Sequence, residues 1–197
     1  LEVPVIVITT PTGQIGRQVL GNLLDSGEQL RVIARDPSKL PAGVRKDLDI
    51  VEGSHGDAAV VDKAFAGADA VLWLTPADRR APSVQAAFAG FTGPAAEAFT
   101  RHGVGRVVGV STLGRGTPWA AQAGFATGSL AMDDLIAASG VAYRALANPY
   151  FMENTLLQAD SIKNQGLFFS PIAGDRHPRH RRRGLAAAAR RKLDRCW

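Results

Sequence analysis

Short β-branched or apolar runs alternate with amphipathic segments along most of the chain, and this alternation constrains the fold more than any other feature. Residues 3–9 form a nearly continuous β-branched run, as expected for a strand buried on both faces. Ile15, Val19, Leu20, Leu23 and Leu24 then share one helical face, closed by Gly27 near the C-cap. Further strands are predicted over 29–35, 49–53, 69–76 (stopped by Pro76), 105–112 and 141–146, with a last short one over 166–172. Helices are predicted over 57–68 with Asp57 as N-cap, and over 84–102, where Gly93-Pro94 should kink or split the helix. Another runs over about 120–139 with Gly124 and Gly128 as weak points, and a final one opens at Pro149 in its first turn. Alternation of this kind means βαβ units with right-handed crossovers. The predicted fold class is α/β: a doubly wound parallel Rossmann-type sheet of at least six strands, with helices on both faces and the first strand inside. Ligands bind such sheets outside the carboxyl ends of the strands, where the strand order reverses.

The first of those strand ends carries "TTPTGQIG", residues 9–16. A phosphate cradle needs backbone N–H groups at a helix N-terminus, and glycine where backbone and ligand or helix and strand come close. Gly13 and Gly16 have the spacing for both. Thr10 occupies the place of a first glycine; because a β-branched residue resists positive φ, the turn is expected to bend without that region at residue 10. Pro11 supplies stiffness, and Thr9, Thr10 and Thr12 offer hydroxyls. A plain strand–turn–helix connection would account for the loop alone. The second strand end adds weight: "ARDPSKL" puts Arg35 where NAD-binding versions carry an acid, with Asp36 next and Lys39 close by. A guanidinium matches a phosphate fork to fork, so Arg35 argues for the 2′-phosphate of NADP, against the alternative of ordinary solvated charge.

A length of 197 residues suits one principal domain. The net charge of +5 is not spread evenly: residues 1–174 hold 14 Lys/Arg and 16 Asp/Glu, and residues 175–197 hold 9 and 2. The expected division is a dinucleotide-binding domain over 1–175 and a basic, partly helical tail over 176–197. Seven of the eight residues 176–183 are Arg or His, so that segment is expected to pack poorly. The tail is taken as an altered or shortened end. The alternatives are a nucleic-acid or acidic-partner arm; no aromatic residue is interleaved with the arginines, so base stacking has no platform and nucleic acid is disfavoured. His177 and His180 lack further ligands, so no metal is expected. Cys196 is the one cysteine, which excludes an intramolecular disulfide and fits a cytoplasmic setting. No apolar run approaches membrane-spanning length, and no leader pattern is seen, although the chain starts at Leu1 without Met.

"TTPTGQIGRQVL", "RVIARDPSKL", "VEGSHGD", "AFAGADAVLWLTP", "GVGRVVGVSTLG" and "SGVAYRALANPYFMENTL", in this order and spacing, resemble the NmrA-like branch of the atypical short-chain dehydrogenase/reductases, which includes NADPH-quinone reductases. The likeness runs from about residue 3 to 175. It implies NADP(H), preferred over NAD(H), bound at Gly13, Gly16 and Arg35, with the nicotinamide near Ser111 and the loop 148–154. With the strand ends above, the expected cofactor set is Thr10, Thr12, Gly13, Gln14, Ile15, Gly16, Arg35, Lys39, Thr75, Pro76, Ser111, Asn148, Pro149 and Tyr150. The chain departs from the family at Thr10, at Gly53-Ser54 where Gly-Asp is usual (Asp57 is kept), and at Asn148-Pro149 where Arg-Pro is usual. It is also short, so most of the family's substrate lobe is expected to be missing.

Classical short-chain reductases pair a Tyr with a Lys four residues on. Here Tyr143 is followed by Ala147 and Tyr150 by Asn154, and no lysine lies between Lys63 and Lys163. Ser111 is the only catalytic candidate, with a turn cap as its plain alternative. A quinone can accept hydride with its proton from water or a simple hydroxyl. The expected function is therefore an NADPH-dependent oxidoreductase acting on quinones or conjugated carbonyls; the alternative is a non-catalytic NADP(H)-binding sensor working through a protein partner. A small-molecule substrate or a protein is the expected partner, not a membrane.

Overall fold

A computed structural model describes residues 3–76, 78–149 and 151–168. The predicted basic tail, the segment 176–183 and most of the predicted last strand lie outside these residues, and 166–168 are not in a strand. Six strands, β1 (Val5–Thr9), β2 (Gln29–Ala34), β3 (Asp49–Glu52), β4 (Ala70–Trp73), β5 (Arg106–Thr112) and β6 (Ala142–Asn148), form one sheet. The order is β3-β2-β1-β4-β5-β6 and every pairing is parallel. The order reverses between β1 and β4, so a crevice opens above the carboxyl end of β1.

Alternate side chains of the strands feed two cores. Ile6 and Ile8 of β1 point to one face, where they meet Val19, Leu20 and Leu23 of α1 (Gly16–Leu23). Val7 points to the other, joining Trp73 with Phe65 of α3 (Ala58–Phe65), Phe99 of α4 (Phe91–Arg101) and Ile136 of α5 (Phe125–Ala138). Burying a side chain of this size contributes roughly 1.5–3 kcal/mol, which is why a two-faced apolar strand is held at the centre of the sheet. Asp57 caps α3 as expected, accepting from the N–H groups of Ala59 and Val60.

Local details differ from the sequence expectation. A 3-10 turn (Pro37–Lys39) and a short helix α2 (Ala42–Arg45) fill the connection after β2. The helix around Pro94 is not broken there. The irregularity sits one turn earlier, as a π-helical turn (Ala86–Gly90) that leads into α4. Gly124 lies ahead of α5 with φ 58°, and a 3-10 turn (Ala120–Gln122) precedes it. Gly128 is a packing site inside α5: a Cβ there would meet Phe88 and Val84 at 2.6 Å. Pro149 does not open a helix; a 3-10 segment (Met152–Gln158) and then α6 (Ala159–Gln165) come after it.

Candidate cofactor-binding site

Thr9 ends β1 fully buried, and its hydroxyl accepts from the Leu74 N–H at 2.8 Å and donates to the Leu72 carbonyl at 3.0 Å. That pair ties β1 to the end of β4 where the sheet order reverses, so this hydroxyl is committed to the fold and not to the loop. Thr10 then takes φ 48°, the one non-glycine residue in that region among the described residues. The expectation that residue 10 would avoid positive φ is overturned. The strain, roughly 1–2 kcal/mol for a residue with a Cβ, is held in place by the rest of the loop and the helix start. The Thr10 carbonyl accepts from the Gly13 N–H at 3.0 Å, and α1 begins close behind it at Gly16. No side chain caps α1 and no acid lies in its first turn. The Arg17 and Gln18 N–H groups donate to the Gly13 and Ile15 carbonyls, each at 3.0 Å, so the helix start favours an anion through its dipole.

At the end of β2, Arg35 is exposed and makes no ion pair among the described residues. Asp36 also lines the cavity, but its carboxylate is engaged: Oδ1 accepts from the Ser38 N–H at 3.0 Å and from the Ser38 hydroxyl at 2.5 Å, and Lys39 Nζ lies 3.5 Å from Oδ2. The Ser38 hydroxyl, the Ser38 N–H and Lys39 hold the Asp36 carboxyl below its usual range. Asp36 thus caps the turn after β2, and Lys39 shares its charge with it.

His55 follows β3 and is nearly buried. Its Nε2 lies 2.9 Å from the Leu74 carbonyl, and its ring stands edge-on to Trp73 and Phe91. Burial pushes the imidazole down to about 4, against the pull of the Leu74 carbonyl and helped by the charge of Arg35. His55 is neutral at physiological pH, so Nε2 donates to Leu74.

Near the end of β5, the Ser111 hydroxyl donates to Oδ2 of Asp133 on α5, and the Tyr143 hydroxyl donates to Oδ1 at 2.6 Å. Burial raises the Asp133 carboxyl above its usual range, against the opposing hydrogen bonds of Ser111 and Tyr143 and the charge of Arg115. Burial and the neighbouring Asp133 push the Tyr143 phenol up. Asn148 ends β6 and donates from Nδ2 to the Ser111 carbonyl at 2.8 Å, tying the last two strands together.

One cavity of about 860 Å³ joins these strand ends. It is lined by Thr10, Thr12, Gly13, Gln14, Ile15, Arg35, Lys39, Thr75, Pro76, Ser111, Asn148 and Pro149, twelve of the fourteen residues expected from the sequence. Gly16 is not a lining residue; it packs beneath, against Thr10. Tyr150 lies outside the described residues. The cavity also takes in His55, Phe88, Phe125, Ser129, Phe151 and Asn154. Phe125 and Ser129 are four apart on one face of α5, the spacing of a Tyr–Lys pair, with neither residue type present. His55 follows the Gly53-Ser54 departure in the sequence, a hint that this strand end is built differently; nothing local marks Phe88 as a lining residue.

The residues fit a dinucleotide: an uncapped helix N-terminus, a glycine at the cradle, an unpaired guanidinium at the second strand end, and room between them. Residues 11–168 match the model of a family described as NAD(P)H-binding. The chain belongs to the NAD(P)H-binding family. The resemblance to the NmrA-like, quinone-reductase-like branch is borne out. Among curated relatives, this NAD(P)H-binding chain is 32% identical over 169 residues to (4-alkanoyl-5-oxo-2,5-dihydrofuran-3-yl)methyl phosphate reductase of Streptomyces griseus, covering 82% of the chain and 53% of that protein. It is 27% identical over 192 residues to quinone oxidoreductase 2 of Escherichia coli, covering 95% and 63%. A crystal structure of the Escherichia coli NADPH-dependent quinone oxidoreductase complexed with NADPH superposes with a TM-score of 0.77 at 26% identity, over 96% of this chain and 64% of that one. The chain thus spans between half and two thirds of these relatives' length. Among the described residues no helix is long and apolar enough to cross a membrane, and no cluster of His, Cys, Asp and Glu has the make-up of a metal site.

Proposed function

We propose that the chain binds NADPH in preference to NADH and reduces quinones or related conjugated carbonyls. The observation that carries the cofactor preference is the pair at the second strand end: Arg35 is unpaired beside the cavity while Asp36 is spent on Ser38. A free carboxylate facing the ribose would repel a 2′-phosphate; here Asp36 borders the cavity with its charge shared with Ser38 and Lys39, and the free charge beside it is the Arg35 cation. In this reading the open N-terminus of α1 and the loop Thr10–Ile15 hold the pyrophosphate, and Arg35, with Lys39 adding charge, holds the 2′-phosphate. Thr75, Pro76, Asn148 and Pro149 border the nicotinamide end, and Ser111 is the hydroxyl nearest the chemistry. The bound cofactor supplies a hydride. The chain's own residues orient it, and Phe88, Phe125 and Phe151 offer an apolar wall for a flat, conjugated acceptor. The relatives named as a quinone oxidoreductase and a reductase of an unsaturated lactone phosphate support the substrate class.

Phe125 and Ser129, at the spacing of the missing Tyr–Lys pair, favour a second reading: a cofactor-binding regulator that acts through a protein partner and turns nothing over. A cytoplasmic location and a small-molecule partner go with the first reading. The test is NADPH oxidation across a panel of quinones and enones, beside fluorescence titrations with NADPH and NADH. Turnover with NADPH preference supports the reductase; tight NADPH binding without turnover supports the regulator.

A further inference from the structure

Among the cavity-lining hydroxyls, that of Thr112 donates to the carbonyl of its neighbour Leu113 at 3.2 Å, and those of Thr75 and Ser111 reach the side chains of α5. Thr75 leads to the sulfur of Met132, at 3.0 Å, and goes no further. Ser111 leads to Asp133, a carboxyl that is 4% exposed and does not itself line the cavity. The polar and charged groups facing Asp133 come from three places. Ser111 on β5 meets Oδ2, and Tyr143 on β6 meets Oδ1 at 2.6 Å. Arg115, in the loop after β5, comes within 3.6 Å of Oδ2 but makes its shorter contact, 2.5 Å, with Asp134. Asp133 is therefore a carboxyl whose one connection to the ligand space is a single hydroxyl.

Resting on the proposed reductase function, the geometry points to Ser111 and Asp133 as a proton relay into the cavity. Ser111 is the catalytic hydroxyl that touches the reacting oxygen, and Asp133 is a positioning residue and proton store acting through it. The balance is one proton per hydride. When a reduced nicotinamide bound in the cavity supplies a hydride, which is the electron pair, to the carbonyl or quinone substrate, the Ser111 O–H bond would break and an O–H bond would form on the substrate oxygen. The Asp133 O–H proton passes to Ser111 Oγ, and the carboxyl is left ionised. That discharged state has the hydrogen bond seen here, Ser111 donating to Asp133. Water entering the emptied cavity returns the proton through Ser111 in the reverse direction. Burial, which favours the neutral carboxyl, keeps the store charged nearer to neutral pH than an ordinary aspartate would be. The Tyr143 phenol, itself pushed up, holds Oδ1 and does not compete as a donor of protons to substrate.

The relay predicts that kcat falls as pH rises through the Asp133 titration, because the active form is protonated. Carbon-detected NMR of the protein with labelled aspartate reads that titration without cofactor or turnover. Asp133, assigned by the loss of its signal in Asp133→Asn, should titrate above the other aspartates. Tyr143→Phe, which removes a donor to the carboxylate, should move it higher and move the kcat profile with it. Asp133→Asn keeps the shape and an acceptor; it should lower kcat by roughly tenfold to a hundredfold, flatten its pH dependence and leave the NADPH Kd within twofold. An Asp133 that titrates with the others, or a slowed Asp133→Asn whose pH profile is unchanged, overturns the relay while leaving the reductase standing. A wild-type protein that binds NADPH and reduces nothing in the panel overturns the reductase reading and the relay with it.

Discussion

The carbonyl oxygen of Thr10 stands where a Cβ on residue 16 would have to go: the two would be 2.1 Å apart. Gly16 is therefore what lets α1 start directly behind the strained turn, and the turn is what aims the helix N-terminus at the cavity. Gly16→Ala must push apart two pieces of backbone. A loss of about 3 kcal/mol or more in denaturant unfolding is expected, together with loss of dinucleotide binding. Gly21→Ala in the same helix has open space around its Cβ and should gain about 0.5–1 kcal/mol. Equal behaviour of the two variants would remove the steric argument.

Thr10 itself holds φ 48° at a cost that glycine would not bear. Thr10→Gly should raise stability by about 0.5–1 kcal/mol, the strain relieved being partly offset by the greater freedom of the unfolded chain. A destabilised Thr10→Gly would mean that the threonine side chain is a structural contact in its own right.

Arg35→Ala should erase most of the preference for NADPH over NADH while leaving NADH binding nearly unchanged. A charge-assisted hydrogen bond contributes roughly 1.5–3 kcal/mol, and at this exposed position the lower half of that range, roughly tenfold to thirtyfold in Kd, is expected. Asp36→Ala should change the preference far less, because its carboxylate already serves Ser38. Added salt should narrow the gap in the unmutated protein. Paired fluorescence titrations decide it, and tighter NADH binding would refute the assignment.

His55 gives the fold a pH dependence of known sign. Its folded value of about 4 lies below the ordinary 6.5, so the unfolded chain binds the proton first. The contribution is fully present above about pH 6.5 and is lost as pH falls from there to about 4, by at most about 3 kcal/mol. Unfolding free energies at pH 7 and pH 4.5 should differ by less in His55→Leu than in the parent. NADPH affinity should show no His55 titration between pH 6 and 8.

The alternation of apolar runs and amphipathic segments was enough to determine the architecture, because the most apolar runs had to be buried on two faces and each helix on one. That left a parallel sheet with the first strand inside, and it put the strand-end loops, from Thr10 to Asn148, around one cavity. Arg35 was legible for the same reason: its place at the second strand end depends only on counting along a strand. What lay beyond local spacing was decided by tertiary contact. No propensity argument puts a threonine at positive φ; the Thr10–Gly13 hydrogen bond and the close start of α1 hold it there. Asp36 looked like a rival to Arg35 until the turn after β2 engaged its carboxylate with Ser38. Phe88 lines the cavity from within a π-helical turn, an irregularity that no local pattern announces. Asp133 is 22 residues from Ser111 and ten from Tyr143, and only the stacking of α5 on β5 and β6 brings the three together. A sequence specifies which faces must be buried; which polar groups then meet across those faces is settled by the packing itself.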